Sequence, residues 1–70
     1  MKTDNHAPPL RREIKIGAPV WVIEKKNYGT NNYTQGFVAA ILTSAPAHPR
    51  GIKVRLRDGA AGRVQWLMEE

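Results

Sequence analysis

Apolar and basic residues alternate without a break along Ile52-Lys53-Val54-Arg55-Leu56-Arg57. A period of two is the pattern of a strand with one face buried and the other wet. Asp58-Gly59 opens a tight turn, Gly62 closes it, and residues 63–68 return as the partner strand. Upstream, Pro19-Val20-Trp21-Val22-Ile23 is rich in β-branched and aromatic residues, which suit a pleated, half-buried surface. Ile14-Lys15-Ile16 alternates before Gly17, and Gly36-Phe37-Val38-Ala39-Ala40-Ile41-Leu42-Thr43 forms a further apolar run. That run has helix-forming residues. It is short, however, and lies between Gly36 and the breaker-rich stretch 44–49, so a strand is expected. Residues 27–32, NYGTNN, carry turn chemistry, and residues 44–51, with two prolines and a glycine, read as a loop.

This is an all-β pattern of about five short strands. A domain of some 55 residues buries only about 60% of its unfolded surface. Closure into a small barrel lets Val20, Val22, Val38, Ile52, Val54, Leu56 and Val64 share one core, with Trp66 as a further candidate. An SH3-like barrel over residues 14–68 is the expected architecture. Residues 1–13 hold Asp, Asn, His, Pro-Pro and Arg with a single Leu, too little apolar surface to offset ordering entropy, and read as a disordered N-terminal tail.

Charge then changes the picture. The chain has 70 residues and a formal net charge of +5. Within residues 14–68, eight Lys and Arg face only Glu24 and Asp58. The positive charge therefore belongs to the domain and not to the tail, and it favours polyanionic partners. There is no Cys, so disulfides and thiolate metal sites are excluded and a cytoplasmic location is expected. No apolar run reaches membrane-spanning length, and no secretory signal is expected in the opening residues. The chain offers no Gly-rich phosphate loop, no paired carboxylates and no Ser/His/Asp set, so it is read as a non-enzyme without cofactor or metal.

Several stretches together resemble a known family. They are Ile14-Lys15-Ile16-Gly17, Val20, Val22, Lys25, Thr34-Gln35-Gly36-Phe37-Val38, Ile41-Leu42-Thr43-Ser44, His48-Pro49-Arg50-Gly51-Ile52-Lys53-Val54-Arg55-Leu56, Gly59 and Gly62-Arg63-Val64. Over residues 14–65 the chain is similar to the YwbE-like family of small bacterial proteins of unknown function, and residues 41–56 carry the most specific part. The resemblance brings no catalytic residues. The chain departs from the family pattern at residues 26–33, where a short Asp-Gln and Thr-Gly turn is usual. A weaker similarity, at the level of fold alone, is to KOW and Tudor-like barrels.

The candidate interface is for nucleic acid, RNA before DNA. Lys53, Arg55 and Arg57 project from one strand face about 7 Å apart, close to the spacing of phosphates along a single strand. Arg63 on the partner strand, Arg50 at the loop end, and Lys25 and Lys26 extend the set. Trp21 and Phe37 are expected to face outward if Val20, Val22 and Val38 face inward, and with Tyr28 and Tyr33 they are the candidates for base stacking. The bland reading is a solvated strand face, with Trp21 or Phe37 covering the barrel. The alternative function is a protein-interaction module using the exposed aromatics and the Pro-rich loop. Trp21 near Lys53 and Arg55 favours nucleic acid, and Trp21 beside Phe37 away from them favours protein. His48 is expected to bond a neighbouring backbone group, and a monomer is expected.

Overall fold

The computed structural model describes residues 7–68. Four strands form a closed barrel: β1 (Pro19–Ile23), β2 (Thr34–Ile41), β3 (Lys53–Leu56) and β4 (Ala61–Leu67), each antiparallel to the next, with β4 returning to pair with β1. Closure leaves no strand edge unpaired, which removes the edge-to-edge aggregation hazard of a small open sheet.

The all-β barrel agrees with the sequence reading, with four strands instead of about five. The missing strand is Ile14-Lys15-Ile16. Its alternation is real, since Ile14 is buried and Ile16 is exposed. It makes no ladder because a turn intervenes: Ala18 N–H donates to the Lys15 carbonyl (3.0 Å), and Gly17 N–H donates to the Val38 carbonyl (2.8 Å).

All seven aliphatic residues assigned to one core are 0–1% exposed, joined by Ile14 at 3%. Trp66 is not among them. Val22 pairs with Val64 and Trp21 with Trp66, so Gln65 is an extra residue on β4 without a register partner on β1. Such a bulge reverses the alternation beyond it. Trp66 therefore turns to the outer face, half-buried, and Leu67 packs against the core in its place. A second bulge on β2, between Val38 and Ala40, sends Ala40 outward opposite Arg55 and returns Ile41 to the core opposite Val54.

The expected disorder of residues 1–13 does not extend through Arg11–Glu13. These form a 3-10 turn in which Glu13 Oε1 accepts from Leu10 N–H at 2.8 Å. Arg11 ties the turn to the Pro-rich loop: its N–H donates to the Pro46 carbonyl (2.9 Å) and its Nε to the Thr43 carbonyl (2.9 Å). Composition undercounted this segment because one backbone and one side-chain bond from Arg11 to a distant loop, together with the half-burial of Pro8, Pro9 and Leu10, hold it in place. Residues 1–6 of that expectation lie outside the described residues.

Ile52 precedes β3, is fully buried, and its carbonyl accepts from Val64 N–H at 2.9 Å. Ile52→Ala is expected to cost about 3 kcal/mol through lost transfer energy and a residual cavity. Urea unfolding should show a lower midpoint with an unchanged m-value, and an unchanged midpoint would refute the core assignment.

Candidate nucleic-acid interface

The cations of β3 sit where the alternation places them. Lys53 and Arg55 are exposed on the outer face, while Val54 and Leu56 point in. Arg63 on β4 is the register partner of Lys53, and Ala61 that of Arg55. On the other flank Ala40 opposes Arg55. Small side chains on both sides leave the Arg55 guanidinium unshielded. Arg57 follows in the turn, where its guanidinium stands over the Phe37 ring at 5.2 Å and its N–H donates to the Phe37 carbonyl at 2.9 Å. A cation over an aromatic face gains electrostatic attraction and a defined position. The result is a continuous strip of Arg57, Arg55, Lys53 and Arg63, with Phe37 at one end.

Arg63 is held differently from the others. It is half-buried, and its Nη1 donates to the Gly51 carbonyl at 3.0 Å. That bond links the strip to Arg50, the preceding residue. Arg50 N–H donates to His48 Nδ1 (3.0 Å), so His48 has the backbone-bonding role expected of it. Gln65 Nε2 donates to both the Arg50 (2.9 Å) and Arg63 (3.2 Å) carbonyls, locking the end of the loop onto β4. Lys25 and Lys26 are exposed on a 3-10 turn, Lys25–Asn27, beyond Ile23, whose β4 partner is Arg63. They extend from the loop that follows β1 and are on none of the strip's strands.

The three described carboxylates do not neutralise these cations; each accepts a local bond instead. Glu13 accepts from Leu10 N–H, Glu24 from the Thr34 hydroxyl (2.8 Å), and Asp58 from Ala60 N–H (3.0 Å). None of the three bonds is to a cation of the strip.

Of the four aromatic candidates, Trp21 and Phe37 part company. Phe37, 48% exposed, joins the strip through Arg57. Trp21 is half-buried on β1, with Gln35 and Trp66 as its partners, and the barrel order puts β2 or β4 between it and Lys53. It borders neither Lys53 nor Arg55. Trp66 meets Tyr33 edge-to-face at 4.9 Å. Next to that pair lies a groove of about 540 Å³ lined by Ile23, Tyr28, Gly29, Thr30, Tyr33, Arg50 and Gln65. Gln65 was not a candidate in the sequence, and its only signal there would have been the register slip that no alternation count reveals.

Two comparisons bear on this chain. A family described as "Uncharacterized conserved protein (DUF2196)" matches residues 8–67. Among curated proteins, "Uncharacterized protein YwbE" of Bacillus subtilis (strain 168) is 43% identical over 58 residues, covering 83% of this chain and 89% of that relative. No solved structure matches. Among the described residues, no helix is long and apolar enough to cross a membrane.

Proposed function

The chain belongs to the DUF2196 family, and from that premise and the barrel's charge we propose that it is a non-enzymatic RNA-binding module. The observation that supports this most is the row of exposed cations Arg57, Arg55 and Lys53, continued by the half-buried Arg63 on the neighbouring strand. Guanidinium groups take phosphate oxygens by two parallel bonds, and the Lys53 ammonium adds a point charge. Positions two apart on a strand follow a phosphodiester chain at nearly its own interval. The absence of cysteine accords with a reducing cytoplasm, where RNA is abundant.

Binding of this kind releases condensed counterions, so affinity falls with salt. Four phosphate contacts on a single strand correspond to a slope of about −3 in log K against log salt. Fluorescence anisotropy of a labelled single-stranded RNA, titrated from low to physiological salt, measures it. No binding at low salt would sink the proposal, and so would a slope near zero. Amide shifts should gather on residues 53–57 and 63.

A second reading, the protein-interaction module, draws on exposed apolar side chains at Ile16 (63%), Phe37 (48%) and Leu42 (43%). Trp21, set away from Lys53 and Arg55, lends nothing to the nucleic-acid reading, and being half-buried it offers a protein partner little either. The second reading ranks below the first because Phe37 is already covered on one face by Arg57.

A further inference from the structure

The groove beside the cation strip has a wall structure that the strip alone does not use. Tyr28 is exposed, and its ring borders the groove. Tyr33 forms another wall and is held in place by its edge-to-face contact with Trp66. The intervening turn is bonded to itself: Thr30 N–H (3.0 Å) and hydroxyl (2.7 Å) both donate to the Asn27 carbonyl, and Asn32 N–H donates to the Thr30 hydroxyl (3.1 Å). The wall is therefore a preorganised surface, which lowers the entropic cost of ligand binding. Arg50 also lines the groove, and its backbone is tied through Gln65 and Gly51 to Arg63 of the strip. No carboxylate lines the groove among the described residues.

Two tyrosines and an arginine around one groove suit a flat, polar-edged ring attached to a phosphate. We propose that this groove takes one unpaired nucleobase of the RNA strand, with its phosphate on Arg50 while the flanking backbone follows Lys53 and Arg55. This rests on the RNA-binding reading and deepens it from a phosphate track to a single-strand module. Unpaired bases stack on aromatic side chains irrespective of sequence, whereas a duplex keeps its bases inside and is read by shape and backbone. Charge complementarity selects an anionic occupant, and the two tyrosines favour one that carries flat rings over an acidic peptide. An extended peptide has no free strand edge to join, since the barrel is closed.

The test compares three probes at one salt concentration: single-stranded oligouridylate of about eight nucleotides, duplex RNA of matched charge, and inorganic polyphosphate of matched charge. Tyr28→Ala should weaken oligouridylate binding roughly 5- to 150-fold, the range of one lost base–aromatic stack. Duplex and polyphosphate binding should stay unchanged, and Tyr28→Phe should restore the oligouridylate affinity. Oligouridylate, but not polyphosphate, should shift the amides of residues 28–33 and 65. Equal affinities for Tyr28→Ala and wild type, with shifts confined to residues 53–63, would overturn the groove assignment and leave RNA binding intact. No binding of any of the three probes would overturn both. A proline-rich peptide that moves the groove amides while oligouridylate leaves them still would hand the groove to a protein partner.

Discussion

Gly51→Ala is expected to unfold this domain. Gly51 has φ +107°, in the left-handed region where a Cβ crowds the backbone. A Cβ built there would also press directly on the Val64 carbonyl oxygen and meet Gln65 Nε2 at 3.1 Å. The obstacle is strand backbone, so it cannot swing aside as a side chain could. Strain and overlap together are expected to cost about 4 kcal/mol. A single core in a chain this short seldom supplies more than about 3–5 kcal/mol. Circular dichroism and amide dispersion should therefore report a largely unfolded chain at 25 °C. Gly59→Ala separates the two contributions. Gly59 has φ +97°, but nothing lies within 4 Å of its added Cβ. That variant should remain folded and lose only about 1 kcal/mol. If Gly51→Ala proves as mild as Gly59→Ala, the close approach of the loop to β4 is wrong. The placement of Arg50 beside Arg63 would then fail as well, since both hang on that approach.

The triple variant Lys53→Gln, Arg55→Gln, Arg57→Gln is expected to bind single-stranded RNA several hundred-fold more weakly at about 50 mM salt, with the salt slope shallower by about 2. All three side chains are exposed, so the barrel should keep its stability within about 1 kcal/mol. Arg57 makes the largest structural contribution of the three through Phe37, and a cation–π pair at an exposed site is worth only about 0.5–1 kcal/mol. Arg63 stays in place because its bond to the Gly51 carbonyl makes it part of the scaffold. Anisotropy titrations at several salt concentrations read both numbers, with thermal melts as the folding control. A variant that melts normally and keeps the wild-type salt slope would remove β3 from the interface. The cost should also be uniform across RNA sequences, because phosphate contacts position a strand without reading its bases.

Strand periodicity by itself determined the all-β class, seven of the core residues and the outward row Lys53, Arg55 and Arg57, and the short chain's need to bury them pointed to a barrel. A period of two is a local property, and solvent exclusion from one face enforces it residue by residue. The charge of the domain was equally legible, because composition does not depend on conformation. Tertiary structure alone decided the rest. Trp66 faces outward because a bulge at Gln65 reverses the alternation, and a bulge is a relation between two strands that neither encodes alone. The Ile14–Ile16 segment has the pattern of a strand but no partner left to pair with once four strands have closed the barrel. Arg11 reaches the loop at Thr43 and Pro46, Gln65 holds the Arg50 carbonyl, and one groove gathers Tyr28, Tyr33, Arg50 and Gln65, across sequence separations that no local pattern spans. Barrel closure also separated Trp21 from β3 and left Phe37 with Arg57, dividing two aromatics that alternation alone treats alike. The physical reason is the same in each case: side-chain period follows from the backbone of one strand, whereas register, bulges and loop docking follow from which backbones the closed barrel brings together.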